Sequence, residues 1–265
     1  MSAALAALLD DASQFPPGNL PLAEAHARHQ AWRAHPQRAL VGRFLVPAAR
    51  AVQLAQLLRE RSPHPATTVG LVAGGASPVA AAVLAEVGVP VTAVELRVDE
   101  LEALDAWRAA LPQAWIFVEG IAPGPLVQLC GDDPRVGAKL RCGGVEAAAF
   151  PSVEAVARFV ADCTAADVPF KATAGLHAPV RHRDDVLGVH HHGFLNLLSA
   201  TALAQGGAGA DELQACLALE DGARLPALGL APERLAVART LFHAFGTCSI
   251  DEPLDGLAAL GLLDG

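Results

Sequence analysis

Residues 91–120 read VTAVELRVDELEALDAWRAALPQAWIFVEG, and the rhythm of that stretch decides the fold. The run Val91–Val98 predicts a strand, ELEALDAWRAAL (100–111) a helix that Asp99 can cap, and Ala114–Val118 a second strand. Two strands joined by a helix form a parallel βαβ unit with a right-handed crossover. The unit recurs on both sides, with further strands predicted at Leu40–Val46, Thr67–Ala73, Val136–Leu140 and Pro169–Ala174. Between them, AARAVQLAQLLRE (48–60) places Ala51, Leu54, Ala55 and Leu58 on one helical face. FPSVEAVARFVADC (150–163) does the same with Val153, Val156, Phe159 and Val160, and Ser152 stands at its N-cap.

Strands alternating with helices leave two architectures, a doubly wound sheet or a (β/α)8 barrel. No GxGxxG follows the first of these strands and no GxxxxGK[ST] loop occurs, although GLVAGGASP (70–78) is a glycine-rich turn. Without those nucleotide signatures the expectation is the barrel. Past Gly193 the pattern blurs. GFLNLLSATALA (193–204) and PERLAVARTLFHAF (232–245) read as helices, while ACLALED (215–221) and ARLPALGL (223–230) fit strand or helix, so the last two strands stay unplaced. Residues 1–38, with PLAEAHARHQAWRAH (21–35) among them, read as an N-terminal helical extension, and the barrel domain is assigned to residues 39–265.

Composition narrows the function classes. Apolar residues make up 52% of 265, yet no uninterrupted apolar run of about 18 residues exists, so no membrane association is expected. The start MSAALAALLDDASQFPPG lacks the basic region of an export signal and reads as a helix, which makes the cytoplasm the expected location. Five cysteines without a CxxC pair predict reduced thiols rather than disulfides or a zinc knuckle. A net charge of −9 with no basic tract argues against nucleic acid and points to a small-molecule partner. Apolar outer helix faces could support a homo-oligomer, which no sequence feature specifies. No cofactor is implied.

The chain holds only two lysines, Lys139 and Lys171, against 17 arginines, and each lysine lies in a short apolar run. Arginine cannot replace lysine where an amine must lose its proton or attack a carbonyl. In a strand, residues two apart share a face. Glu95 with Arg97, Lys139 with Arg141, Lys171 with Thr173, and Phe117 with Glu119 are such pairs, and Arg43 lies in a further strand. Pointing inward near the C-terminal strand ends, these groups would form one polar basin where barrel active sites are built. Counted this way the basin holds five cations against two carboxylates, and its natural complement is an anionic metabolite bearing carboxylate or phosphate. Cations near Lys139 would lower its pKa and free the amine. The same residues could equally form a buried salt-bridge layer without chemistry.

Half of the ten histidines fall in HAPVRHRDDVLGVHHHGFLN (177–196). Three consecutive histidines cannot face one ion in a helix and no HExxH occurs, so no metal is assigned, a metal-dependent hydrolase being the least favoured alternative. His177 directly follows the Lys171 strand and would stand at the mouth to orient substrate or donate a proton. The segment to Val189 reads as a long polar loop, a candidate lid, and Asn196 would share a helical face with His192. GTCSIDEPLDGL (246–257) shows no base partner for Cys248 and reads as a capped turn.

ELRVD (95–99) resembles the Glu-x-Arg strand motif of type I 3-dehydroquinate dehydratases, barrel enzymes that form a Schiff base. FKATAG (170–175) resembles the lysine-bearing strand of deoxyribose-phosphate aldolases, in which a lysine on an earlier strand forms the Schiff base. As a whole the chain resembles a family of bacterial (β/α) barrels rather than either enzyme. The aldolase resemblance implies that Lys139 is the nucleophile and Lys171 its pKa-lowering neighbour. The expectation is therefore a Schiff-base lyase with Lys139, Lys171, Glu95 and Glu119 catalytic. Arg43, Arg97, Arg141, Thr173, His177 and Asn196 are expected to bind substrate. The alternative is a barrel that binds an anionic metabolite without covalent chemistry.

Overall fold

The computed structural model describes residues 5–60, 67–131, 133–225 and 232–263. Eight parallel strands close into a barrel: β1 (Leu9–Asp11), β2 (Val41–Pro47), β3 (Val69–Val72), β4 (Val91–Arg97), β5 (Trp115–Glu119), β6 (Val136–Arg141), β7 (Phe170–Thr173) and β10 (Phe242–Thr247). β10 pairs with both β7 and β1 and so completes the ring. Closure leaves no unpaired sheet edge. Two more strands, β8 (His182–Asp184) and β9 (Val189–His191), form an antiparallel hairpin in the connection that follows β7.

The helices are α1 (Leu22–Ala34), α2 (Ala51–Glu60), α3 (Val79–Ala85), α4 (Leu104–Ala110), α5 (Pro123–Cys130), α6 (Val153–Ala165), α7 (Phe194–Gln205), α8 (Ala210–Leu217), α9 (Pro232–Leu241) and α10 (Asp251–Ala259). α2 buries Ala51, Leu54, Ala55 and Leu58, the face its spacing predicts. Ser152 caps α6 by accepting the Ala155 N–H at 3.1 Å. Asp99 does not cap the helical segment after β4; Glu100 accepts the Arg97 N–H instead, and Asp99 turns to the Arg97 side chain.

Three expectations change. The barrel begins inside the stretch read as a helical extension, because Leu9–Asp11 is its first strand and α1 is the helix that follows it. Asp10 and Asp11 read as the polar end of a helix, yet both are buried. The eighth barrel strand, FHAFGT, lies where the sequence pattern continues a helix: α9 stops at Leu241 and the chain extends from Phe242. ACLALED falls in and just after α8; of ARLPALGL, residues 226–230 lie outside the described residues.

The main apolar core lies between barrel and helices. Outward strand residues such as Phe44, Leu71, Val94, Ile116, Val118 and Ala172 meet Leu54, Trp107, Val156 and Val160 from the helices. The barrel interior is separate, and its N-terminal half is filled by rings. Trp115 stacks near Phe117 with centroids 6.1 Å apart, and His243 packs 4.0 Å from Trp115. Burial, with help from Arg239 and Arg43, pushes the His243 imidazole down to about 4, so it is neutral in this plug. The interior is therefore reached from the C-terminal mouth. Among the described residues no helix is long and apolar enough to cross a membrane.

Candidate active site

Above the aromatic plug, neighbouring strands contribute one continuous chain of ion pairs. It starts at Arg43 on β2, whose backbone N–H donates to Asp10 Oδ1 at 2.8 Å and whose Nη1 lies 3.3 Å from Asp10 Oδ2. Asp10 on β1 accepts from Lys171 Nζ at 2.6 Å, and Lys171 on β7 also donates to Glu95 Oε1 at 2.5 Å. The other oxygen of Glu95, on β4, takes Lys139 Nζ at 2.8 Å; Lys139 on β6 reaches Glu119 Oε2 on β5 at 2.7 Å. Arg141 Nη1 ends the chain 3.6 Å from Glu119 Oε1.

Strand parity places these groups together. Lys139 is the register partner of both Glu119 and Lys171, so three adjacent strands present their charges at one level. A side chain on residue 42 would put its Cβ 2.5 Å from Asp10 Oδ1 and 3.0 Å from the Ala7 carbonyl, so the glycine there leaves room for the Asp10 carboxylate. From Lys171 onward exposure rises: its side chain is 0% exposed, Lys139 9%, Glu119 21% and Arg141 52%, while Arg43 at the other end is 16% exposed. Lys139 is thus the lysine nearer solvent.

The electrostatics correct the sequence expectation in two ways. Asp10 joins the basin unforeseen, and Arg97 leaves it: Arg97 is 69% exposed at the rim and pairs with Asp99 at 2.9 Å. Four cations then face three carboxylates, so the basin is close to balanced. The proton affinity of Lys139 also runs opposite to expectation. Burial alone would lower it, but Glu95 and Glu119 at hydrogen-bond distance outweigh burial and raise it, because the nearest charges are anions rather than cations. Glu95 is buried, which opposes ionisation, yet Lys139 and Lys171 hold its carboxyl at about 2. Asp10 is lowered likewise: burial opposes, and Lys171 and Arg43 prevail.

The other expected site residues divide. Thr173 is half-buried near the top of β7, opposite Arg141 and Gly246 in register. Arg43 lies in the N-terminal half of β2 and its Nε donates to Thr92 Oγ1 at 3.1 Å, so it anchors Asp10 from below and does not reach the mouth. Asn196 is not at the mouth. It is buried in α7, donates to the carbonyls of Cys216 (2.9 Å) and Leu219 (2.8 Å) and accepts the Arg181 N–H at 2.9 Å, a full set of structural bonds. His192 precedes α7, so the two share no helical face.

The segment read as a polar loop carries the β8–β9 hairpin, where His191 contacts the Gly175 carbonyl and Asp184, both at 3.2 Å. His177 stands in the loop after β7 with Nδ1 2.8 Å from Glu252 Oε2. Among the described residues no three His, Cys, Asp or Glu side chains group as a metal ion would need. Two surface clefts of about 190 and 270 Å³ lie on the opposite face, lined by residues such as Pro134, Val136 and Pro169 and by Pro112, Ala114 and Arg135. They border N-terminal strand ends, away from every charge in the chain of ion pairs, and barrel chemistry belongs to the C-terminal face.

No protein-family model, curated protein or solved structure matches the chain.

Proposed function

We propose that the barrel is a cytoplasmic Schiff-base lyase that acts on a small carbonyl compound bearing a carboxylate or phosphate, with Lys139 as nucleophile. One observation carries this reading: Lys139 Nζ, near the mouth, lies between two carboxylates on different strands, 2.8 Å from Glu95 and 2.7 Å from Glu119. An amine that attacks a carbonyl must shed a proton first and have water removed afterwards, and each step needs a base or acid within hydrogen-bond reach. Glu119, the more exposed carboxylate, relays the proton to water and supplies one in carbinolamine dehydration. Glu95 abstracts or returns the proton of the enamine step. Lys171, wholly enclosed, keeps Glu95 ionised and in place. Arg141 at the mouth receives the anionic group.

The raised pKa of Lys139 sets a cost on this reaction. Even an ordinary lysine requires about 5 kcal/mol to be neutral at pH 7, from 3.4 units at 1.36 kcal/mol each, and Lys139 requires more. A turnover of about 10 per second tolerates a barrier of roughly 16 kcal/mol, so the chemistry fits inside it. The test is incubation with keto acids and sugar phosphates plus borohydride, followed by peptide mass spectrometry. A reduced adduct on Lys139 is expected; its absence with every compound, beside a working control aldolase, overturns the covalent mechanism.

The same raised pKa favours a second reading, non-covalent binding of an anionic metabolite. Arginine at position 139 separates the two, because it keeps the charge and loses the amine. Ligand binding and any turnover that survive Lys139→Arg support the second reading.

A further inference from the structure

Cys248 has a base partner that the sequence does not reveal. The residue follows β10, and its Sγ lies 3.8 Å from Nε2 of His177, which arrives from the loop after β7. The opposite ring nitrogen, Nδ1, lies 2.8 Å from Glu252 Oε2 in the first turn of α10. Thiol, imidazole and carboxylate are thus in sequence across three segments of the mouth, the order of a nucleophile, its base and a charge beside the base, although Nδ1 and Glu252 are close without hydrogen-bond alignment. The loop after β1 closes in from a third side: a Cβ at Gly18 would stand 3.2 Å from the Cys248 Cβ, and the Gly18 N–H is directed at the sulfur.

Access and charge distinguish this thiol from Cys142, Cys163 and Cys216. Those three are buried, whereas Cys248 is half-buried and the His177 side chain is 23% exposed. Burial lowers the His177 pKa, Glu252 opposes that, and His191 on β9 and His182 on β8 add to the lowering. Burial likewise raises the Cys248 pKa, as do Glu252 and, more weakly, Asp11 on β1, against the amides of Gly18 and Cys248 itself. Both directions hold the resting pair as neutral thiol and neutral imidazole. The sulfur then needs His177 to take its proton during attack, unlike a preformed thiolate.

We propose that Cys248, His177 and Glu252 form a second reactive site, a base-assisted thiol that accepts acyl groups from small activated esters and thioesters. As Sγ bonds to the carbonyl carbon, its proton passes to His177 Nε2. The tetrahedral adduct then breaks its bond to the leaving oxygen or sulfur, which takes that proton away. Water attacks the Cys248 thioester by the same route and releases a carboxylic acid and the free thiol. This site uses none of the lysines and stands or falls apart from the Schiff-base reading.

The test uses p-nitrophenyl acetate on the unmodified protein from pH 5 to 9, with p-nitrophenol release followed by absorbance and the acetylated residue found by peptide mapping. Acetylation at Cys248 is expected, with a rate that climbs through the titration of an imidazole below pH 6.5 and is flat from pH 7 to 8. His177→Asn lowers that rate at least tenfold and Glu252→Gln lowers it severalfold, on the scale that general-base assistance provides. A rate that instead rises about tenfold per pH unit up to pH 9, as for an unassisted thiol, overturns the proposal. So does an unchanged rate in a folded His177→Asn protein, or acetylation elsewhere than Cys248.

Discussion

Replacing Glu95 by glutamine removes the carboxylate that both lysines share, and its effect can be worked out beforehand. In the folded protein the Glu95 carboxyl sits at about 2, against 4.5 for an unperturbed one, because its two lysines outweigh burial. A folded pKa below the unfolded one means that the unfolded chain binds more protons in the window between them. The stabilisation is therefore complete above about pH 4.5 and lost as pH falls toward 2. The shift of about 2.5 units corresponds to about 3 kcal/mol. Glutamine also leaves two ammonium groups short of an anion in a nearly dry interior, and breaking a buried pair typically costs 3–5 kcal/mol. Urea unfolding followed by circular dichroism should show Glu95→Gln less stable by about 3–5 kcal/mol at pH 7, with the gap narrowing as both proteins are taken from pH 5 to pH 3. A gap below about 1 kcal/mol at pH 7, or one that does not change with pH, would refute the ion-pair account of the barrel interior.

Three further outcomes follow from named contacts. Arg141→Ala, which removes the exposed end of the ion-pair chain, should raise the substrate concentration for half-maximal borohydride trapping about tenfold to hundredfold, the worth of a charge-assisted hydrogen bond; an unchanged concentration argues against an anion subsite there. The raised pKa of Lys139 means that adduct formation should climb about tenfold per pH unit from 7 to 10, read by cyanoborohydride trapping, and a plateau below pH 9 contradicts that environment. Asn196→Ala strands the carbonyls of Cys216 and Leu219 and the N–H of Arg181, so thermal unfolding should register a loss of about 3 kcal/mol while trapping at Lys139 is unaffected. A trapping defect would return Asn196 to the site.

The parity of the central strands was legible in the sequence because alternation along a strand is a strict geometric rule. Glu95, Glu119, Lys139, Arg141 and Lys171 meet as their spacing implies. What was not legible came from partners distant in the chain. Asp10 reads as the hydrophilic end of a helix until β1 is known to lie beside β10, which puts it within 2.6 Å of a lysine 161 residues away. β1 itself is three residues long, too short to show alternation, and FHAFGT continues the apolar pattern of α9 with no proline or glycine before Gly246 to mark the change. The sign of the Lys139 shift failed for a related reason. Counting charges on one face says nothing of which lie at hydrogen-bond distance, and the two nearest are carboxylates. Cys248 stayed obscure because its base comes from a loop 71 residues earlier.

A barrel interior can be filled with branched apolar layers, and such packing is often at least as stable as a buried ionic network. Exposure climbs from 0% at Lys171 to 52% at Arg141 as the strands rise toward the mouth. That gradient assigns different parts to the two lysines, and methionine at each position separates them. Lys171→Met leaves Asp10 and Glu95 facing each other without the ammonium between them, and should cost about 3–5 kcal/mol in unfolding experiments. Lys139→Met removes a head group close to solvent, where water can reach the freed carboxylates, so its stability cost should be distinctly smaller. Borohydride trapping should nevertheless vanish in Lys139→Met. Equal losses of stability with trapping retained in Lys139→Met would reduce the whole chain of charges to packing, since the lysine nearer the mouth would then have proved dispensable.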